Sequence, residues 1–401
     1  MKIARVVLIP DGMADEPLDA FGGRTALEAA HTPHMDALAR RGIVGLTHNV
    51  PQGMEPGSDV AIMSILGYDP KQYYTGRGPL EAASMGVPVG PGEFAFRCNL
   101  LHVRGETLVD YSAGHITTGE SGEIIATIQK ELGGPDITFH HGVSFRNLMT
   151  LKGGCAGLAA HAPHDHMDEP WEQYLPSGGP CADIIRDLIL KSREILADHP
   201  VNKQREAEGK RTANMIWPWS GGAIPAMTPF EEKYGVRGAA VSAVDLVQGL
   251  ATVAGMSVLK VPGATGMVDT NYQGKVEAAI RALETHGLVL VHLEGPDEAA
   301  HMGDAELKKT GIERFDSLIL KPMLDHLETL GAWRVLLLPD HPTPIAIRTH
   351  TSDPVPFLCA GADTPGGASA FSERAAADTG MVVNNGHELM DLFIRDEVFR
   401  K

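Results

Sequence analysis

An aspartate and a histidine stand side by side, Asp340 and His341, just after the apolar run 335–338, and His350 follows nine residues later. Carboxylate and imidazole together are natural ligands for borderline divalent cations. Taken alone, the stretch also reads as a loop carboxylate capping a helix beside two incidental histidines. Two other places have the same character. Asp11 follows the apolar run 3–10, and Asp297 lies four residues before His301 in EGPDEAAH. That spacing puts two side chains on one face of a helical turn, although an ordinary surface helix start uses it too. Ser58 sits where the Gly-rich PQGMEPG hands over to a short apolar helix. A serine there serves either as an N-cap or as the carrier of an anion, because a helix N-terminus stabilises negative charge.

These residues need a scaffold that brings them together. The run 335–338 reads as a strand buried on both faces of a parallel sheet, and the runs 3–10 and 288–293 read as further strands. Shorter strands are expected at 43–46, 215–217, 239–241, 258–261 and 355–359. Helices are expected from Thr32 and Pro33 to Gly42, from Ser58 to Gly67, over 181–196 and 243–255, and opening near Lys275. A long helix over 307–330 carries Pro322, which should kink it, and places Leu330 on its buried side. A parallel sheet sets the C-terminal ends of its strands along one edge, where ligands bind. Asp11, Asp297 with His301, Asp340 with His341, and His350 would then converge. Three carboxylates and three imidazoles in one place are untenable without cations, and two divalent ions about 4 Å apart are the economical solution.

The 401 residues suffice for two domains. The stretch 91–204, rich in Gly and His and lacking buried parallel strands, reads as an inserted smaller α+β domain, with 1–90 and 205–401 forming the other, discontinuous one. HAPHDH at 161–166 offers either another metal site or a loop that binds anions and water. A formal net charge of -17 argues against nucleic-acid binding and makes local cations necessary for any anionic substrate. No apolar run has membrane-spanning length. The four scattered cysteines, Cys98, Cys155, Cys181 and Cys359, suit reduced thiols in a cytoplasmic protein. A monomer or a small homo-oligomer fits the charge equally.

The serial order Asp11, Ser58, Asp297, His301, Asp340, His341, His350 resembles the two-metal site of the alkaline phosphatase superfamily. DGMADEP, PGSDVAIMSILGYDP, YYTGRGPLEAASMG, HPVNKQREAEGK, GATGMVDTNYQGK and THTSDPVPF are similar to phrases of the archaeal-type 2,3-bisphosphoglycerate-independent phosphoglycerate mutases and their bacterial relatives. The resemblance covers nearly the whole chain and is weakest in the insert. It implies an alkaline-phosphatase-like, mostly parallel α/β sheet with helices on both faces and an inserted cap. It also implies one metal on Asp297, His301 and His350, and another on Asp11, Asp340 and His341 with Ser58 Oγ. Manganese is the ion it implies, with magnesium, cobalt or zinc as alternatives, and no 2,3-bisphosphoglycerate is needed. Ser58 would carry the phosphoryl group between 3- and 2-phosphoglycerate while the insert acts as a lid. For the small phosphorylated substrate, Arg97, Arg146, His164 and Asp165 of the insert and Lys275 are candidates, arginine suiting carboxylate and phosphate through its fork. Arg97 and Arg146 equally suit the surface. YSAGHI and WPWSGG resemble bacterial relatives proposed as homoserine kinases, the runner-up reading. A phosphatase or phosphonate hydrolase follows, and the intact Ser58 speaks against a metal-binding protein without catalysis.

Overall fold

The computed structural model describes residues 3–362, 364 and 366–396. The chain divides into two compact units, Thr75–Pro225 and the sequence on either side of it. Strands β1 (Ala4–Pro10) and β2 (Gly42–Thr47) precede the insert. The insert contributes β3 (Glu93–Arg104), β4 (Thr107–Asp110), β5 (Ile137–Val143), β6 (Arg146–Lys152) and β7 (Met215–Gly222). After it come β8 (Gly238–Val241), β9 (Ser257–Leu259), β10 (Leu288–Leu293), β11 (Trp333–Leu337), β12 (Val355–Gly361) and β13 (Val382–Val383).

The larger unit holds an eight-stranded sheet ordered β13-β2-β12-β11-β1-β10-β8-β9. Its pairs are parallel except the two made by β12, which runs against both β11 and β2. β1 reads ARVVLIP and β10 LVLVHL, near-continuous apolar runs of the kind a sheet covered on both faces requires. Val6 and Leu8 join a core with Leu38, Val276 and Phe315, while Val7 and Ile9, on the opposite face, are equally enclosed. β11, β1 and β10 are immediate, mutually parallel neighbours. Their C-terminal ends therefore lie side by side.

The helix expected over 307–330 is one rod with an irregular centre. Helix Ala305–Phe315 runs through a π-turn at Asp316–Leu320 into helix Lys321–Glu328, and Leu330 beyond it is 42% exposed. Pro322, expected to kink the helix, has no N–H to give the preceding turn, and the wider π-turn Asp316–Leu320 takes up that gap. The π-turn also puts Asp316 against the start of the helix Pro33–Arg40. Its carboxylate accepts the N–H groups of Met35 (2.7 Å) and His34 (3.3 Å). Thr32, the expected cap of that helix, makes no capping hydrogen bond; a residue distant in sequence replaces it.

The insert is built on an antiparallel sheet in which β3 pairs with β4, β6 and β7, and β5 pairs with β6. It reaches beyond the expected 91–204 on both sides. On the N-terminal side, helix Arg77–Met85 packs onto β3 so closely that a Cβ at Gly78 would meet the Ala95 carbonyl at 2.4 Å. On the C-terminal side, the run 215–217 belongs to β7 and pairs with β3, so it is not a return to the parallel sheet. Helices Thr118–Leu132 and Ala182–Ala197 close the insert's own core through Ile124, Ile128, Ile185 and Ile189.

The cysteines depart from the reduced state expected of all four. Cys155 and Cys181 form a disulfide, with Cα atoms 5.3 Å apart, whereas Cys98 and Cys359 are buried free thiols. The crosslink joins two segments separated by 26 residues, a distance at which no spacing motif signals a partner. Purified, denatured protein should release two thiols to a thiol reagent before reduction and four after it; four without reductant would refute the crosslink. Cys155→Ser should cost about 2–4 kcal/mol of stability in the insert, read as a lower urea midpoint.

Candidate metal centre

The three neighbouring strand ends deliver the residues expected of them. Asp11 follows β1, and its N–H donates to the Leu293 carbonyl at the end of β10 (3.0 Å). Asp297 and His301 lie on the helix Gly295–Met302, which opens two residues after β10. Asp340 and His341 follow β11, where the Asn49 amide donates to the Asp340 carbonyl (2.9 Å). Gly12 adopts φ +60°, and its N–H donates to Asp340 Oδ1 (3.1 Å). A Cβ at Gly12 would lie 2.5 Å from Asp297 Oδ1 and 2.6 Å from Thr343 Oγ1. Only glycine lets these loops close on one another.

Two clusters result, Asp297 with His301 and His350, and Asp11 with Asp340 and His341; within each, one ligand atom per residue lies within 4.8 Å of the others. In the first, His301 Nε2 is 3.1 Å from Asp297 Oδ2 and 3.0 Å from His350 Nε2, and His350 Nε2 is 3.5 Å from Asp297 Oδ1. In the second, His341 Nε2 is 3.3 Å from Asp340 Oδ2 and 3.8 Å from Asp11 Oδ1. The His341 and His350 rings are 4.1 Å apart, so the clusters are contiguous. Ser58 Oγ faces the second cluster, 3.3 Å from His341 Nε2 and 3.5 Å from Asp11 Oδ2. It is the first residue of helix Ser58–Ile65, after Gly57, and caps nothing. The N-cap alternative is thereby set aside.

The electrostatics call for positive charge. Asp11 Oδ1 and Asp340 Oδ2 are buried with no hydrogen-bond partner. Burial, then the carboxylates of Asp340, Asp297 and Glu294, push Asp11 well above the usual carboxylate range. Burial pushes Asp297 the same way, but hydrogen bonds from His301 and His350 outweigh it and hold Asp297 well below that range. His301, bonded to Asp297, is raised to about 9 against its own burial. His301 Nδ1 lies 2.9 Å from the Arg348 carbonyl, which can only accept. The Nδ1 proton is thus fixed, and Nε2 is the nitrogen that faces Asp297.

Other expected residues fall elsewhere. Arg97 pairs with Glu81 (3.1 Å) and stacks over Trp219 (4.6 Å), which His164 also meets edge-on. Asp165 lies 3.6 Å from His164, so these three expected residues share one cluster inside the insert. Arg146 is exposed and lies over Phe145. Lys275 departs from its expected place: it is 1% exposed and donates to the His292 carbonyl (3.0 Å), and burial lowers its pKa to about 8. It braces β10 from within instead of facing solvent. Among the described residues, HAPHDH forms no ligand cluster; His166 stacks on Tyr174.

Three residues next to the site were not singled out in the sequence. His292 is fully buried; its Nε2 lies 2.8 Å from Asp11 Oδ2 and its Nδ1 3.1 Å from Ser242 Oγ. Ser242 Oγ also accepts the Val244 N–H (3.0 Å); an ionised Asp11 can only accept, which places the His292 proton on Nε2 and leaves Nδ1 to accept from the Ser242 hydroxyl. An imidazole in a strand otherwise apolar on both faces was the available signal. Thr343 donates to Asp297 Oδ1 (2.5 Å). Lys308, also fully buried, donates to Asp15 Oδ2 (2.8 Å), the Thr343 carbonyl (2.9 Å) and the Ala14 carbonyl (3.1 Å). Glu373 lies beside them, accepting from the Asp15 N–H and the Thr25 hydroxyl, and burial raises it to about 7.

The profile of a family described as 2,3-bisphosphoglycerate-independent phosphoglycerate mutase matches residues 39–202. The chain is 51% identical over 391 residues to the 2,3-bisphosphoglycerate-independent phosphoglycerate mutase of Methanothrix thermoacetophila, covering 97% of this chain and 99% of that protein. Among solved structures it is similar to a Pyrococcus horikoshii protein, with TM-score 0.85 and 31% identity, covering 100% of this chain and 98% of that one. It is also similar to the cofactor-independent phosphoglycerate mutase of Thermoplasma acidophilum, with TM-score 0.68 and 30% identity, covering 98% of this chain and 99% of that one.

The raised His301 sets a pH dependence. In metal-free protein its pairing with Asp297 stabilises the fold fully below the unfolded histidine value of about 6.5. That contribution is lost as pH rises through about 9. A divalent ion competes with the same proton, so affinity should climb with pH up to that value and binding at neutral pH should release protons. Calorimetry with manganese in two buffers of different ionisation enthalpy measures the release; no proton release and a flat affinity would refute the assignment.

Proposed function

The chain belongs to the 2,3-bisphosphoglycerate-independent phosphoglycerate mutases, a family of isomerases, and we propose that it interconverts 3- and 2-phosphoglycerate through a phosphoserine at Ser58. The observation that carries this reading is the position of Ser58 Oγ, at the first residue of a helix and within 3.5 Å of Asp11 and His341. A helix start favours the negative charge of a phosphoryl group.

In this reading Asp297, His301 and His350 hold one divalent ion, and Asp11, Asp340 and His341 with Ser58 Oγ hold the other. The donor set fits: two carboxylate oxygens of the second cluster are buried without partners, and a cation is what such oxygens lack. Mixed carboxylate and imidazole ligation accommodates manganese, and also magnesium, cobalt or zinc. When bound, such ions lower the pKa of a coordinated hydroxyl and neutralise charge on a transferring phosphoryl group.

The chain's own part is to present Ser58 in line. Its Oγ forms the bond to phosphorus as the bond to the substrate's C3 oxygen breaks, and the Ser58 proton passes to that oxygen. The glycerate turns, its 2-hydroxyl attacks phosphorus, and a proton returns to Ser58 Oγ. No 2,3-bisphosphoglycerate is needed, since the phosphoryl group waits on the protein. The insert enters as the substrate domain, with Arg97, beside His164 and Asp165, proposed for the glycerate carboxylate. The activity so proposed is a step of glycolysis; among the described residues no helix is long and apolar enough to cross a membrane.

Manganese-loaded protein with 3-phosphoglycerate, followed by phosphorus NMR, should yield 2-phosphoglycerate with little free phosphate. Free phosphate alone would make the protein a hydrolase, and no reaction would overturn the reading and turn the search to homoserine with phosphoryl donors. Ser58→Ala should abolish turnover with the fold intact and metal still bound, and chelation should remove activity that manganese restores. Turnover at the unaltered rate in either preparation would defeat the mechanism.

A further inference from the structure

Thr343 touches both clusters. Its Oγ1 donates to Asp297 Oδ1 (2.5 Å), in the first, and lies 3.3 Å from His341 Nδ1, in the second. It is fully buried and held on every side. Its N–H donates to the Ala14 carbonyl (3.2 Å) and its carbonyl accepts from Lys308 Nζ (2.9 Å). Pro342 and Pro344 flank it, so one proline fixes the backbone before it and the other restricts its own. Gly12 leaves the space in which its hydroxyl meets Asp297.

A hydroxyl has one hydrogen to give. An ionised carboxylate can only accept, so the Thr343 hydrogen goes to Asp297. Toward His341, the Thr343 oxygen is then an acceptor, and His341 Nδ1 must carry the ring proton. That leaves a lone pair on His341 Nε2, the nitrogen 3.3 Å from Asp340 Oδ2 and from Ser58 Oγ. We propose that Thr343 is a positioning residue for both clusters: through the chain Asp297–Thr343–His341 it fixes the His341 tautomer that can ligate a metal and couples the two halves of the site. Hydrogen bonds in such a chain polarise one another, so charge placed on one cluster is felt at the other. The inference rests on the two-ion reading of the site.

The test compares Thr343→Val, which keeps shape and loses the hydroxyl, with Thr343→Ser, which keeps the hydroxyl. Manganese binding is followed by calorimetry, and the His341 tautomer by nitrogen NMR of metal-free protein. Wild type should bind two ions per chain and show His341 protonated at Nδ1. Thr343→Val should lose about 10–100-fold in metal affinity and lose the fixed tautomer, while Thr343→Ser should restore both. Thr343→Ala replaces the valine variant if thermal melting shows the latter misfolded. Wild-type affinity and tautomer without the hydroxyl, or a serine variant as weak as valine, would overturn the inference and leave the two-ion reading standing. Fewer than two ions on the wild type would instead remove that reading, and the inference with it.

Discussion

Asp11, Asp297 and Asp340 are buried close to one another at the edge where β1, β10 and β11 end. Like charges in a dry place repel strongly, and each also pays for leaving water. The rest of the larger unit can be understood as the means of keeping three such groups there. Imidazoles neutralise part of the charge at Asp297, and backbone N–H groups occupy Asp340 Oδ1. Asp11 Oδ1 and Asp340 Oδ2 are left over. The fold assembles a demand for cations that its own side chains leave partly unmet.

Rigidity at this edge comes from a buried layer behind the site. Lys308 ties the loop after β1 to the loop after β11 through three acceptors. It stands on the helix after the one that carries Asp297 and His301, so one ammonium links all three ligand-bearing segments. A buried ion pair adds little net stability over an apolar packing, yet removing one partner strands the other. Its contribution is therefore to fix geometry. Lys275 does the same for β10, and His292 does so for Asp11.

How much of this was readable in advance depended on the range of the interaction. The apolar run 335–338 announced a doubly covered strand, and a parallel sheet then put Asp11, Asp297 and Asp340 along one edge. Ser58 was placed at its helix start by the adjacent Gly-rich loop. What failed was long-range. Asp316 caps a helix more than 280 residues away, where Thr32 was expected to do so. Cys155 and Cys181 meet although no spacing pairs them. Met215 begins a strand of the insert because β3 has a free edge for it, which no local pattern reveals. Lys275 was a candidate for the anionic substrate as a cation near a helix start; here the helix packs it inward.

The antiparallel course of β12 has a consequence for how this architecture can change. β11 leaves the sheet and β12 enters it at the same edge, paired strand to strand. The excursion between them begins at the Asp340–His341 pair and finishes shortly after His350. Its ends are anchored, whereas residues 346–347 at its tip are exposed. The entropy of a loop grows only slowly with its length. Closure therefore tolerates a range of lengths, and it is the Arg348 carbonyl, 2.9 Å from His301 Nδ1, that ties the length of this loop to the site, while the side chains at 346 and 347 are free of that tie.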